Sequence, residues 1–542
     1  MRVFAGALTI LVAAVASAAP VQTAPHDPLL WSDGAKPTAQ ANSLLRELRQ
    51  CAERGLDPED YPLDRLANQL AALTGTTQSA AAPAAAADPE QWAAFDAELT
   101  RTGGQFISDL HYGRIDPAAV GHNLAVDRVD LDLPATLERV AAAADVPAAL
   151  DALEPRFRHY ALLKQQLARY RALTNEDGLN RLPPLAAKSV KPGAAYAGAP
   201  QLQRLLSELG DAAPGSAPLL SLPPPVLVSV PPQSLTPALV DALKHFQSRH
   251  GEKPDGVLGQ ATFAQLLRPL SFRVRQIELT MERWRWLPTE LDSAPIIVNI
   301  PQFRLFAFES TSDSEASIRQ MDVIVGKAFH ATQTPVFSAQ MTYLVFHPYW
   351  DVPYDIARKE IVPAARRDPA SIERHQMEIV RGGGDAATVM PNTPENVELL
   401  AKGALRVRQK PGPNNSLGLV KFMLPNRYNV YLHSTPAQAL FGESRRDFSH
   451  GCVRVSDPMA LAQYVLRDSP EWTRERILAA MNGDIPLIIT LKNRIRVFIV
   501  YGTAMATEQG NILFFDDIYG HDQRLEQLLD ARRAHRRQII VP

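Results

Sequence analysis

Over the first third of the chain, apolar positions recur three and four residues apart. Leu44, Leu45, Leu48 and Cys51 make one such face, Phe95, Leu99, Phe106 and Leu110 a second, and Leu153, Phe157, Tyr160, Leu163 and Leu167 a third. That spacing puts one stripe on one side of an α-helix, so this region reads as packed amphipathic helices, with Pro155 in the first turn of the last. An Ala/Thr-rich stretch at 74–87 interrupts it as a mobile loop. Residues 183–200 and 212–232 are rich in Pro and Ala and read as extended connectors. Between 235 and 267 the pattern gives a helix through Ala242, Leu243 and Phe246, a turn at Gly251 and Asp255-Gly256, and a second helix from Gly259 to Thr262 onward. Residues 272–287 then read as one helix. Its Trp284 and Trp286, two apart, point in different directions and serve as packing anchors rather than a sugar-stacking pair.

Beyond 295 the period changes. Short β-branched or aromatic runs at 296–300, 304–308, 322–325, 342–346, 429–433, 487–491, 496–501 and 512–515 alternate with turn residues, which predicts a mainly β domain of two packed sheets. The rhythm breaks between 350 and 408, where 355–361 and 366–378 look helical and Arg381-Gly382-Gly383-Gly384 looks like a hinge. An inserted helical lid is the expectation there. The fold class is therefore multidomain α+β. Its expected parts are a signal peptide at 1–19, a helical scaffold at 28–200, a Pro-rich linker at 201–234, a small helical module at 235–268, a connecting helix at 269–290, a β domain at 291–519 with its lid at about 351–408, and a tail at 520–542.

A length of 542 residues suits three or four such domains. Lys plus Arg (56) nearly balances Asp plus Glu (58), so no global field points to nucleic acid or an acidic polymer. Arg445, Arg446 and Arg454 flank the cysteine discussed below and are candidates for substrate carboxylates, with solvated loop residues the alternative for Arg445 and Arg446, while Arg532, Arg533, Arg536 and Arg537 read as a solvated helix end. Arg2, an apolar run over 3–15 and Ala16-Ser17-Ala18 read as a secretory signal cleaved after Ala18 or Ala19, hence export to the periplasm; an uncleaved anchor is the alternative. Two cysteines, Cys51 and Cys452, exclude a disulfide framework, and Cys51 belongs to a helix's buried face.

Candidate chemistry concentrates at 428–455. His433 ends an alternating apolar run before Pro436, and Cys452 lies in Ser449-His450-Gly451-Cys452. A thiol is mostly protonated at neutral pH, so a nucleophilic cysteine needs a base such as His433. Gly451 suits a sharp turn whose N–H groups converge on one oxygen. A buried small hydrophobe, or a metal site of Cys452, His450 and His433, stands open beside the nucleophile reading.

The pair His433-Ser434-Thr435-Pro436 and Ser449-His450-Gly451-Cys452-Val453-Arg454 resembles the active-site signature of the L,D-transpeptidase (YkuD-type) family. The stretches Met281-Glu282-Arg283-Trp284-Arg285-Trp286-Leu287-Pro288, Val298-Asn299-Ile300-Pro301, Thr334-Pro335-Val336-Phe337 and Pro348-Tyr349-Trp350-Asp351-Val352-Pro353 resemble its large Gram-negative, YcbB-like branch, over most of 281–522. Residues 235–267 resemble the type 1 peptidoglycan-binding module, implying three helices, and His111-Tyr112-Gly113-Arg114-Ile115-Asp116-Pro117 resembles a turn of the family's scaffold domain. The resemblance implies a YkuD-like β-sandwich under a capping subdomain, with Cys452 as nucleophile and His433 as base oriented by the Ser434 carbonyl. Backbone N–H groups around Gly451 and Cys452 would serve the oxyanion, and Tyr431, Ser449, His450 and Arg454 would shape the site.

It further implies that tetrapeptide stems of peptidoglycan are donor and acceptor, that D-Ala leaves diaminopimelate, and that a 3→3 crosslink forms. No cofactor or metal would be needed, and other cell-wall synthases are possible partners. The chain would be peripheral to the membrane at most. Water or an outer-membrane lipoprotein as acceptor, and a non-enzymatic wall-binding role, are the competing readings. The departures from this branch are Ser434, where Asp is frequent, and Phe448, where a small residue is common.

Overall fold

The computed structural model describes residues 29–75, 89–124, 130–176, 178–212, 233–288, 291, 293–311, 314, 315, 317–328 and 332–540. The expected signal peptide, nearly all of the 74–87 loop and most of the 212–232 connector lie outside the described residues. The chain forms two compact units, one from described residues within 1–121, 129–155 and 527–542, the other from those within 122–128 and 156–526.

In the first unit, helices Ala39–Arg49, Leu63–Thr74, Pro89–Tyr112, Leu133–Ala141 and Val146–Asp151 bury the predicted stripes together. Leu44, Leu48, Cys51, Phe95, Leu99, Phe106 and Leu110 have no solvent exposure and share one core with Trp31 and Trp92. Side chains of Thr38, Asp132 and Asp145 accept the first free N–H groups of three of these helices, which fixes where each begins. The expected tail is a helix, His521–Ile540. Three of its arginines are not a solvated end, and the Arg537 side chain lies outside the described residues: Arg532 bonds Asp109 at 2.5 Å, Arg533 pairs with Asp57, and Arg536 donates to the Asp60 carbonyl at 3.1 Å. Acidic partners far away in sequence decide this, so a local charge reading misses them.

The second unit begins with helices Arg158–Thr174, Ala199–Glu208, Pro237–Arg249, Gln260–Leu266 and Leu270–Trp284. Tyr160, Leu163, Leu167, Leu202, Leu205, Leu206, Leu243, Phe246 and Ile277 share one core. Two expectations change. The helix carrying Tyr160 starts at Arg158, so Pro155 precedes it and lies outside its first turn. The supposed linker holds a helix at Ala199–Glu208, whose Leu202, Leu205 and Leu206 supply the third helix of the small module. Trp284 and Trp286 are buried, edge-on to His159 and His122 respectively. Residues Ala504–Ala506 and Ile512–Phe514 pair as a hairpin, and Ala504, Ile512 and Phe514 pack into this helical core rather than into the main sheet.

The β domain is built on nine strands: β1 Ile296–Asn299, β2 Arg304–Ala307, β3 Arg319–Gly326, β4 Phe337–Phe346, β5 Val420–Met423, β6 Leu432–His433, β7 Asp447–Ser449, β8 Val453–Val455 and β9 Leu487–Val500. Their order is β7-β3-β8-β6-β5-β4-β9-β1-β2, and β3 also pairs with β2, so the sheet curls back on itself around its core. Val298, Leu305, Val323, Leu344, Phe422, Leu432, Val453 and Val497 fill the interior. The runs at 487–491 and 496–501 form one strand, whose register shifts between Thr490 and Ile495.

The insertion carries helical turns at Tyr354–Ile356, Ala357–Ile361 and Val362–Arg367. It also has a sheet that the helical pattern hid, ordered Trp350–Asp351, Arg406–Gln409, Met377–Arg381, Thr388–Met390. Trp350–Asp351 and Arg406–Gln409, the two chain segments that enter and leave it, pair with each other as a stem. Gly382 and Gly384, at φ 82° and 60°, lie between the outer two strands, so the glycine run is a hairpin loop inside the insertion and not its hinge.

Arg249 grips Asp211 through two bonds of 2.6 and 2.5 Å with both side chains buried. Asp211→Asn leaves Arg249 buried without its anion and is expected to cost about 3 kcal/mol, read as a lower midpoint in urea denaturation.

Candidate active site

The site is laid out by the parallel pairing of β6 and β8. Leu432 lies opposite Val453 and His433 opposite Arg454, and the Val453 N–H donates to the Tyr431 carbonyl at 3.1 Å, which carries the ladder back to Cys452. Residues two apart on extended backbone share a face. Leu432 and Val453 are fully buried in the core, so Tyr431, His433, Cys452 and Arg454 come together on the opposite face.

His433 is only 4% exposed. Its Nδ1 is 2.5 Å from the Ser434 carbonyl oxygen. A carbonyl only accepts, so Nδ1 carries the proton and Nε2 is left as the basic atom. Burial, then the Arg454 charge, pull the imidazole down to about 3, with Lys421 adding to the effect and the Ser434 and Leu417 carbonyls opposing it. Gly418 holds this arrangement from outside. At its φ of 61°, a Cβ would stand 2.4 Å from Ser434 Oγ and 2.8 Å from the Thr435 nitrogen, so only glycine lets the chain press Ser434 into place.

Cys452 follows a turn locked from within and from below. Ser449 Oγ accepts the Gly451 N–H at 3.1 Å and donates to the Cys452 carbonyl at 2.6 Å. Beneath it the buried Thr334 hydroxyl donates to the Gly451 carbonyl at 2.8 Å and accepts the Gly326 N–H at 2.8 Å. The Tyr519 hydroxyl accepts the Thr334 N–H at 3.2 Å and donates to the Gly326 carbonyl. Gly451 has φ 116°, as a sharp turn requires, but its N–H is spent on Ser449. The expectation that this group faces a substrate oxygen is therefore not met.

The Cys452 sulfur lies 3.8 Å from the Asn429 carbonyl. Burial pushes the thiol up, while hydrogen bonds from the Tyr431 backbone and hydroxyl, then the Arg454 charge, pull it back. Tyr431 is pushed well up, by burial first and by Cys452 next, and a hydrogen bond from Trp350 opposes this. Among the described residues no hydrogen bond joins the sulfur to the imidazole, so the resting pair is a neutral thiol beside a neutral base. The following helix, Pro458–Val465, is capped by the Asp457 side chain. That carboxylate meets the helix's positive end itself, well short of Cys452.

His450 turns away from this group and meets the insertion, its Nε2 lying 2.8 Å from Glu360 Oε1. Arg445 is held by Asp447 at 2.7 and 2.9 Å. Arg446 is held by Asp322 at 2.8 Å and by the Phe303 and Val323 carbonyls. Those two arginines brace the fold, leaving Arg454 as the flanking arginine at the site. Lys421, Gly418, Thr334, Tyr519, Trp350 and Glu360 were not singled out for the site from sequence. Thr334 and Trp350 fell within stretches that carry the family resemblance, and Lys421 carried a local signal, a charge between Val420 and Phe422 on an alternating strand.

Tyr431→Phe removes a donor to the sulfur, so the thiol is expected to titrate higher and to alkylate several-fold more slowly at neutral pH, as measured by iodoacetamide kinetics against pH. His433 stays neutral in the fold down to about pH 3, whereas the unfolded chain takes up that proton near the ordinary value of about 6.5. Stability is therefore full above that value and falls as pH drops toward 3, by up to about 1.4 kcal/mol per unit. His433→Gln is expected to flatten this slope in acid titrations of urea stability.

Residues 294–479 match the L,D-transpeptidase catalytic domain, 23–167 the scaffold domain, and 198–266 the family described as "Putative peptidoglycan binding domain". The last range includes the helix Ala199–Glu208. A Haemophilus influenzae protein named "Putative L,D-transpeptidase" is 30% identical over 251 residues, which are 46% of this chain and 49% of that protein, so the chain spans about half the length of the curated relative it matches. An L,D-transpeptidase structure (residues 123–326) from Xylanimonas cellulosilytica aligns over 59% of this chain and 100% of its own, at 15% identity and a TM-score of 0.16, too low to support a comparison of folds. The chain thus carries an L,D-transpeptidase catalytic domain of the YkuD family, preceded by a scaffold domain and a peptidoglycan-binding domain.

Proposed function

We propose that this chain is a peptidoglycan L,D-transpeptidase acting outside the cytoplasm. The observation that carries the reading is the single sheet face on which Tyr431, His433, Cys452 and Arg454 meet, inside a domain of that family. Cys452 Sγ attacks the carbonyl joining diaminopimelate at position three of a tetrapeptide stem to D-Ala at position four, and its proton passes to His433 Nε2. The Tyr431 hydroxyl and the Cys452 N–H stand beside the sulfur to take the oxyanion, in place of the Gly451 N–H. As the C–N bond breaks, His433 returns the proton to the departing amine, D-Ala leaves and a thioester remains. The side-chain amine of a second diaminopimelate attacks the thioester, His433 takes its proton, and the thiol is regenerated with a 3→3 crosslink formed.

The neutral resting pair suits this sequence, because the thiol keeps its proton until a substrate is in place. The peptidoglycan-binding module at 198–266 would hold the chain to the same polymer. Export through the 1–19 segment fits that location, and among the described residues no helix is long and apolar enough to cross a membrane.

Intact-protein mass spectrometry of wild type and Cys452→Ala incubated with a disaccharide tetrapeptide tests the proposal. Wild type is expected to lose D-Ala from the stem, form a thioester adduct and yield a 3→3 dimer, and the variant to do none of these. Tripeptide without dimer would identify water as the acceptor, and an untouched stem would overturn the reading.

A further inference from the structure

Beyond the four residues of the site, the sheet register adds one more. Antiparallel pairing of β5 and β6 sets Lys421 opposite His433, and parallel pairing of β6 and β8 sets Arg454 opposite His433 on the other side. Lys421, His433 and Arg454 therefore stand in one row across three neighbouring strands spaced about 4.8 Å apart, all on the face away from the core. Val420 and Phe422, on either side of Lys421, point inward and are fully buried. Both cations lack an ion pair among the described residues, and Arg454 Nε is buried without a hydrogen-bond partner. Asp351, on the stem of the insertion, is the acidic group that acts on Lys421. One carboxylate cannot balance two half-buried cations beside a neutral imidazole, and an uncompensated buried charge is costly. Among the described residues, the row is short of anionic charge.

The order of groups says which anion goes where. Arg454 lies on β8 with Cys452 directly before that strand, His433 lies on β6 and Lys421 on β5, so nucleophile, base and lysine follow one another across the sheet. With the attacked carbonyl at Cys452 and the departing nitrogen at His433, the remainder of the leaving residue extends past the imidazole toward β5. For a stem that ends at this residue, the carboxylate is separated from that nitrogen by a single carbon.

We propose that Lys421 is a specificity residue that binds the terminal carboxylate of the leaving D-amino acid, so that the site selects stems ending one residue after the cleaved bond. This rests on the transpeptidase reading above. It also gives the base a substrate-dependent state. An anion on Lys421 offsets one of the two charges that hold His433 down, which raises its basicity while the leaving group is present. Departure of the D-amino acid restores the cation, and the imidazole returns to its neutral form for the second half-reaction.

The test uses the full-length chain, in wild-type, Lys421→Met and Lys421→Arg forms, with two donors: the disaccharide tetrapeptide and the same stem with its terminal carboxylate converted to a carboxamide. Thioester formation is followed by intact-protein mass spectrometry. An unchanged far-ultraviolet circular dichroism spectrum and a cooperative urea transition verify that each variant is folded. Wild type is expected to favour the free acid by about ten-fold or more in kcat/KM, as a charged hydrogen bond allows. Lys421→Met is expected to bring that ratio close to one, and Lys421→Arg to keep most of it. A wild type indifferent to amidation, or a Lys421→Met enzyme slowed equally on both donors, would overturn the assignment while leaving the transpeptidase reading intact. If wild type acylates with neither donor, the transpeptidase reading itself fails, and the assignment with it.

Discussion

The chemistry proposed for this protein depends on a very short run of parallel backbone pairing, Leu432-His433 against Val453-Arg454. It brings the histidine and cysteine segments, about twenty residues apart in the chain, into one register. A slip of one residue would send His433 or Cys452 into the core and bring an apolar side chain to the surface. The molecule spends several interactions on preventing that slip. Gly418 presses Ser434 inward, Thr334 and Tyr519 fasten Gly451 to Gly326, and Ser449 closes the turn across its own loop. Leu432 and Val453, fully buried, supply the apolar reason for the register to be unique.

Much of this architecture is legible in the sequence because it rests on local periodicity. Apolar residues three and four apart mark the helices of the first unit, and the change to alternation beyond 295 marks the β domain. The helix Ala199–Glu208 was equally marked, by Leu202, Leu205, Leu206 and Leu209, but prolines on both sides drew the reading toward a linker. The insertion's sheet was hidden for a different reason. Its strands are only two to five residues long and mix charged with apolar positions, so they leave no period to read.

At the site, residue identity was legible and pairing was not. Cys452 and His433 stand out by type and motif, whereas the row Lys421, His433, Arg454 exists only once three strands have chosen neighbours. The oxyanion expectation for Gly451 went astray on a similar point. A glycine signals a turn, but whether its N–H faces outward depends on whether a nearby acceptor has taken it, and Ser449 Oγ had. Arg445 and Arg446 looked like substrate contacts for the same want of partners, which Asp447 and Asp322 supply.

The helix His521–Ile540 has a bearing on how the chain is made. Arg532 pairs with Asp109 across 423 residues of sequence, and Arg536 reaches the Asp60 carbonyl across 476. A ribosome releases the acidic partners more than four hundred residues before the arginines, so the first unit emerges early yet lacks these contacts until the chain beyond residue 532 has been made. Closing contacts of such separation carry a large loop entropy unless the intervening chain has already condensed. Assembly therefore favours an order opposite to synthesis at this point: the later-made unit compacts, shortens the effective loop, and so completes the earlier one.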